Sequence, residues 1–274
     1  MNRILVVGDC HIDDDQDLTR FDLLSKLILD QQPTHIVLIG DFLTLNCLSA
    51  WDMDKRKSME NKRYRTEIEA GRDALERFVV PLDLYNIDRR KQKKKQYEPE
   101  LVYMMGNHED RLTRYLEQDP TFDGFISIEN DLYLKDLGFK VVPYRAWYEI
   151  NDIWFTHIPH NEVKPVTGKL HIHRASETTV NSIVYGHTHK LELLNRHVQG
   201  MEHLQQILNC GCFFEKHEPY VDGRVTHYWK GVVLLNNYKP GRFDMETWSI
   251  GRMRRIYGDT TSGTKREDTG EVRG

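Results

Sequence analysis

The feature that most constrains this chain is a repeated unit: a short β-branched apolar run, a helical stretch, then another apolar run, each run closing on glycine and a polar residue. Residues 3–8 (Arg-Ile-Leu-Val-Val-Gly) and 35–40 (His-Ile-Val-Leu-Ile-Gly) are the first two runs. Runs that are apolar at successive positions, not at alternate ones, read as strands buried on both faces. Between them Phe21, Leu24, Leu27 and Ile28 recur at the spacing of one helix face, and Pro33 ends the pattern. Strands joined by helices imply a parallel sheet with right-handed crossovers, so an α/β fold is expected.

The rest of the chain extends the pattern. Residues 51–90 are helical in character, and the basic run at 89–95 (Arg-Arg-Lys-Gln-Lys-Lys-Lys) reads as an exposed loop before a third strand at 100–105. A helix is expected at 109–117, two or three strands at 139–156, a helix at 170–180 and a strand at 182–185. Beyond His187 the pattern turns to β, at 191–198, 204–209, 231–238 and 242–250. Residues 259–274 are rich in Gly, Thr and charge and are expected to be disordered. One domain over residues 1–258 is therefore expected. A helical, basic insertion at about 50–98 is expected to cap the substrate cleft.

Composition narrows the function classes. With 38 Lys+Arg against 42 Asp+Glu the net charge is −4, which argues against a wholly polybasic nucleic-acid binder and leaves room for local basic patches. No apolar run approaches the roughly 18 residues of a membrane span, and the amino-terminal apolar stretch is too short for a signal peptide. Four cysteines (Cys10, Cys47, Cys210, Cys212) are too few for a disulfide scaffold, so a reducing compartment and a cytoplasmic location are expected. Cys210 and Cys212 have no second cysteine pair and read as packing. Histidine is the outlier, at 13 residues.

Polar residues collect where the strands end: Asp9 and His11 after the first, Asp41 after the second, Asn107 and His108 after the third, His157 after residues 153–156, and His187 and His189 after 182–185. In a parallel sheet with helical crossovers these ends open on one edge, where ligands bind. Imidazole nitrogens mixed with carboxylate and amide oxygens suit a transition metal better than Ca²⁺ or Mg²⁺. The donors outnumber what one ion in an open site takes, so two ions sharing a bridging carboxylate are expected.

Asp9-x-His11, Gly40-Asp41, Gly106-Asn107-His108-Glu109, His157 and Gly186-His187-x-His189 resemble the five motifs of the calcineurin-like metallophosphoesterases, over roughly residues 1–250. The resemblance implies a four-layer α/β/β/α sandwich with a dimetal centre at the sheet edge. It implies Asp9, His11 and His189 as ligands of one metal and Asn107, His157 and His187 as ligands of the other, with Asp41 bridging and His108 catalytic. The fourth motif departs from the usual His-Gly, reading His157-Ile158-Pro159-His160. His157 is favoured over His160 because it directly ends the strand. The Gly-Asp motif lacks the Asp-Arg-Gly continuation of protein serine/threonine phosphatases, and Asp9 stands where the RNA-lariat debranching branch has Cys.

Phosphoryl transfer needs positioning and neutralisation of spreading charge, which two metal ions supply. The expected cofactors are two divalent transition-metal ions, Mn²⁺ first, with Fe, Zn²⁺ or Ni²⁺ as alternatives. Asn107 offers an oxygen ligand and an amide N–H for the phosphate; His108 is expected to protonate the leaving oxygen. Asp110, Glu109 and Asp13 are candidates for orienting a ligand imidazole but read more simply as solvated loop carboxylates, and Asp13-Asp14-Asp15 as a charged turn. Arg111 and Arg114, one helical turn beyond His108, are candidate substrate-binding residues. With Lys55-Arg56-Lys57, Lys62-Arg63 and the run at 89–95 they suggest a track for a phosphate backbone. The expected activity is hydrolysis of phosphoesters, leaning to a phosphodiesterase or nuclease acting on nucleic acid or nucleotides. A phosphomonoesterase and a non-catalytic scaffold are the alternatives, and no membrane partner is expected.

Overall fold

The computed structural model describes residues 2–49, 60–161, 164–200, 204–215 and 227–258. The expected disordered tail, Trp51 and Lys55-Arg56-Lys57 lie outside the described residues. The elements are β1 (Asn2–Val7), α1 (Thr19–Gln31), β2 (His35–Leu38), α2 (Tyr64–Lys91), β3 (Glu100–Met104), α3 (Asp110–Gln118), α4 (Ile128–Asp131) and β4 (Phe139–Val142). They continue with β5 (Tyr148–Ile150), β6 (Ile153–Thr156), α5 (His171–Ala175), β7 (Ser182–Tyr185), β8 (Leu191–His197), β9 (Leu204–Cys210), β10 (Gly231–Lys239), β11 (Arg242–Ser249) and α6 (Ile250–Tyr257).

Two sheets result. The first runs β11-β10-β1-β2-β3-β4 and the second β5-β6-β7-β9-β8. β1 to β4 are mutually parallel, as are β6, β7 and β9, and the remaining strands add on antiparallel. The continuous apolar runs have the double burial they imply. Ile4 and Val6 of β1, Val37 of β2 and Val102 and Met104 of β3 meet Phe155, Val184 and Leu208 between the sheets. Leu5, Val7, Ile36, Leu38 and Tyr103 face the other way, against Phe21, Leu24, Leu75 and Phe78 of α1 and α2. Ile183, Tyr185 and Ile207 bury the outer face of the second sheet against Ala175. The fold is thus a mixed α/β arrangement of two sheets flanked by helices.

α2 departs from the expected cap. Ile68, Gly71, Ala74, Leu75, Phe78, Val79 and Leu82 recur every three or four residues and are buried, so α2 is part of the core. Its 28 residues span about 42 Å. Near its far end Asn86 Nδ2 donates to the Tyr97 carbonyl at 2.7 Å, and the Tyr97 hydroxyl donates to the Pro33 carbonyl at 2.7 Å, just before β2 begins. Arg89, Arg90 and Lys91 complete the helix where a loop was expected, and the basic run lies at the amino ends of the strands. The polar strand-end residues lie at the carboxyl ends, so this run does not share a phosphate track with Arg111 and Arg114.

Two further differences have local causes. α5 stops at Ala175, short of the expected 180, where Ser176 Oγ donates to the His173 carbonyl and Thr178 Oγ to that of Ala175, side-chain bonds that compete with the helical ladder. The strand expected through Ile250 ends at Ser249, whose Oγ accepts the Arg252 N–H at 3.1 Å and starts α6. Among the described residues no helix is long and apolar enough to cross a membrane.

Candidate metal centre

Each candidate residue sits on a loop that leaves the carboxyl end of a strand, and those loops are bonded to one another. The Asp41 carbonyl accepts the N–H of Cys10 and of His11, both at 3.0 Å; Ile12 N–H donates to Phe42 O, and Thr44 N–H to Ile12 O. The loops after β1 and β2 are thereby joined. Asp9 Oδ1 accepts the His187 N–H at 3.1 Å, bringing in the loop after β7. Gly40 turns the chain at φ +106°, and a Cβ there would stand 2.6 Å from His157 Nδ1, so only glycine lets the β2 loop pass the histidine of the β6 loop.

Four of the converging residues are themselves in the left-handed region: His11 (φ 45°), Asp41 (48°), His187 (67°) and His189 (60°). Non-glycine residues there are uncommon and cluster at functional sites, where surrounding bonds over-determine the backbone. Nothing in residue type alone marks these four.

The side chains form two groups that meet at Asp41. Asp9, His11 and His189 make one, with His189 Nε2 3.0 Å from Asp9 Oδ2 and 3.1 Å from His11 Nε2. Asp41, His157 and His187 make the other, with His157 Nε2 3.3 Å from Asp41 Oδ2 and 3.0 Å from Asn107 Oδ1. Asp41 Oδ2 is also 4.0 Å from His11 Nε2. The sequence-expected set Asp9, His11, Asp41, Asn107, His108, His157, His187 and His189 is therefore brought together. His160 belongs to neither group: its Nδ1 turns to the Ile158 carbonyl at 2.7 Å.

The arrangement fits metal ions on three counts. Donors about 2.1 Å from a common ion and 90–110° apart stand about 3.0–3.4 Å from each other; His189 lies at such separations from Asp9 and His11, and His157 from Asp41 and Asn107, while His11 Nε2 stands 4.0 Å from Asp9 Oδ2. Asp9 Oδ2 is buried and accepts no hydrogen bond, although His189 Nε2 is in range. His157 Nδ1 faces the Ile39 carbonyl at 3.1 Å, which holds the N–H on that side and turns the Nε2 lone pair inward.

The electrostatics are those of a buried anionic cluster. Burial lowers His11 well below its ordinary value and His187 to about 4, keeping both neutral as ligands must be. Burial acts against a charge on His157 too, but Asp41, Asp9 and Glu109 carry it up to about 9. Burial opposes the Asp41 carboxylate, and the surrounding His157, His108 and His11 hold it well below the usual range.

Glu109 is the residue whose sequence reading the structure overturns. It is 2 % exposed, not a solvated loop carboxylate. One oxygen accepts the N–H of Asp41 (3.0 Å) and Gly106 (2.8 Å); the other accepts the N–H of Leu43 (2.9 Å) and the Tyr103 hydroxyl (3.1 Å). Burial and the Asp41 charge push it up to about 7. Asp14, by contrast, is a surface turn residue paired with Lys62 Nζ at 2.7 Å.

His108 is held between two loops. Its Nδ1 lies 2.8 Å from the Thr44 carbonyl, and its Nε2 3.1 Å from Arg111 Nη2 and 3.9 Å from Asp41 Oδ2. Burial lowers it to about 4, aided by Arg111, so the neutral ring carries its N–H on Nδ1 and accepts at Nε2. Arg111 also donates to the carbonyls of Thr44 and Leu45, while the more exposed Arg114 donates to the Asn107 carbonyl at 3.0 Å and pairs with Asp110. Aromatic rings line both groups: Phe214 and Tyr228 pack edge-on to His189, and Tyr144 stands 6.4 Å from His157.

Two clusters of histidine and aspartate on the carboxyl edge of parallel strands make a candidate two-ion metal site. The model of the calcineurin-like phosphoesterase family matches residues 2–191, and the chain belongs to that family. Its members are hydrolases of phosphoester bonds and typically bind two divalent metal ions. No individually curated protein matches the chain.

Proposed function

We propose that this protein is a phosphodiesterase of nucleotides or nucleic acid, working in the cytoplasm with two Mn²⁺ ions and with residues 1–258 as one catalytic domain. The observation that carries the reading is Asp41 Oδ2, which faces His157 Nε2 at 3.3 Å and His11 Nε2 at 4.0 Å and so belongs to both donor groups. Asp9, His11 and His189 would hold one ion; Asn107, His157 and His187 the other; Asp41 would bridge. When bound, the ions polarise the phosphoryl group and lower the pKa of water.

The remaining work falls to the chain. Asn107 Oδ1 faces His157, so its amide nitrogen is the donor for a phosphate oxygen. Arg114, beside the Asn107 carbonyl, adds positive charge at the rim. Arg111 holds His108 and the Thr44 carbonyl together, which orients His108 Nε2 toward the reacting phosphate. His108 is the proton carrier to the leaving oxygen; its Nε2, which here accepts from Arg111, takes up that proton only when a phosphate draws the guanidinium away. The cysteines are free, which supports a reducing location.

The test is one panel: protein loaded with Mn²⁺, Fe²⁺, Ni²⁺ or Zn²⁺ against bis(p-nitrophenyl) phosphate, p-nitrophenyl phosphate, and labelled single- and double-stranded DNA and RNA. Diester cleavage is expected. Monoester cleavage alone would make the protein a phosphomonoesterase; no turnover with any metal would return it to a binding scaffold.

A further inference from the structure

A cavity of about 440 Å³ opens where α3, α4 and the carboxyl end of β4 meet. That size lies within the range of small-molecule sites. Met105, Leu116 and Val141 give it apolar walls, and Tyr144 gives it an aromatic one. The Tyr144 ring also stands 6.4 Å from that of His157, and Asp110, on the cavity wall, follows His108 by two residues, so the cavity and the metal centre share a boundary.

The charges along the wall select the occupant. Glu109, Asp110 and Glu129 line it; Glu109 spends its oxygens on four donors, whereas Asp110 and Glu129 are each paired on one side, with Arg114 Nε at 3.0 Å and Lys135 Nζ at 2.7 Å. A carboxylate has about four lone-pair positions, so each keeps acceptor capacity. Acceptors among apolar walls disfavour a second phosphate and leave an alkyl arm with nothing to donate to them. A planar heterocycle bearing N–H groups satisfies walls and acceptors together.

We propose that this cavity receives the neutral nucleoside arm of a phosphodiester whose phosphate lies at the metal centre. The nucleobase packs on Tyr144 and directs its N–H groups to Asp110 and Glu129. This deepens the phosphodiesterase reading and rests on it for its kinetic test, but not for its binding test.

The kinetic test compares thymidine 5′-(p-nitrophenyl phosphate) with methyl p-nitrophenyl phosphate, which share charge and leaving group. KM is expected to be at least about tenfold lower for the nucleoside ester, and Leu116→Trp, which fills the cavity, is expected to bring the ratio to about one. Equal KM values in the unaltered protein, or a ratio kept in a folded Leu116→Trp variant, would overturn the proposal. The binding test is saturation-transfer NMR on thymidine and guanosine without metal. Transfer from protein methyl groups to base protons, lost in Leu116→Trp, is expected; no transfer from the unaltered protein at millimolar nucleoside would overturn the proposal. If neither ester is turned over with any metal, the activity reading fails while the binding result still decides the cavity.

Discussion

Glu109 Oε2 accepts the backbone N–H of Asp41 at 3.0 Å, so the loop after β3 sets the position of the loop after β2. Four donors surround this carboxylate: the N–H groups of Asp41, Leu43 and Gly106 and the Tyr103 hydroxyl. Glu109→Ala leaves buried N–H groups unpaired and is expected to cost at least about 3 kcal/mol, read as a lower urea midpoint. Glu109→Gln is expected to rescue little, because its amide would turn N–H against N–H.

Gly106 lies against Asp41 so closely that a Cβ there would overlap Asp41 Oδ1 and its backbone nitrogen. Gly106→Ala is expected to weaken metal binding about 10–100-fold with little change in far-UV circular dichroism. Calorimetric titration with Mn²⁺ checks it, and unchanged affinity would mean Asp41 has room to move.

Arg20 is a buried cation bonded to carbonyls: Phe213 at 2.7 Å, Asp17 at 2.5 Å and Cys10 at 3.3 Å, with Gln16 Oε1 at 2.9 Å. It ties α1 to the loop after β1 and the segment after β9. Arg20→Lys, a point charge without the planar fork, is expected to lose about 3 kcal/mol of stability. Equal denaturation midpoints for the two proteins would count against this role.

Glu67 on α2 accepts the N–H of Asn46 (3.1 Å) and of Cys47 (3.2 Å), and burial raises it above its ordinary 4.5. The folded chain therefore keeps this proton to higher pH than the unfolded chain does. Its contribution to stability falls as pH rises from 4.5 through the raised folded value. Urea midpoints measured from pH 4 to 8 are expected to flatten in Glu67→Gln relative to the unaltered protein.

Metal binding should itself stabilise the fold. Mn²⁺ at a hundredfold excess over its Kd is expected to add about 2.7 kcal/mol, seen as a raised Tm that chelation reverses. His189→Ala and His187→Ala, one from each donor group, should each reduce that increment.

How much could be read from residues alone follows from what each feature depends on. The strands and the placing of Asp9, Asp41, Asn107, His157 and His187 were legible, because a doubly buried parallel strand must be apolar throughout and a polar residue directly after it marks its carboxyl end. Glu109 was not: beside Asp110 it looks like any loop carboxylate, and only the donors it gathers from its own loop and from the loop after β2 distinguish it. The left-handed backbone at His11, Asp41, His187 and His189 was invisible because histidine and aspartate tolerate that region without signalling it. The basic run at the end of α2 misled because sequence carries charge but not distance, and a helix of about 42 Å carried it to the far edge.

Asp41 has no idle polar atom. Its carbonyl serves the β1 loop, its N–H serves Glu109, Oδ1 accepts the His108 N–H at 2.8 Å, and Oδ2 faces both donor groups. Such a residue cannot shift for one neighbour without informing the others. Loaded with metal as proposed, the two halves of the centre would respond as one unit: a ligand substitution in either group is expected to alter metal affinity at both, read by calorimetric Mn²⁺ titration of His189→Ala and His187→Ala.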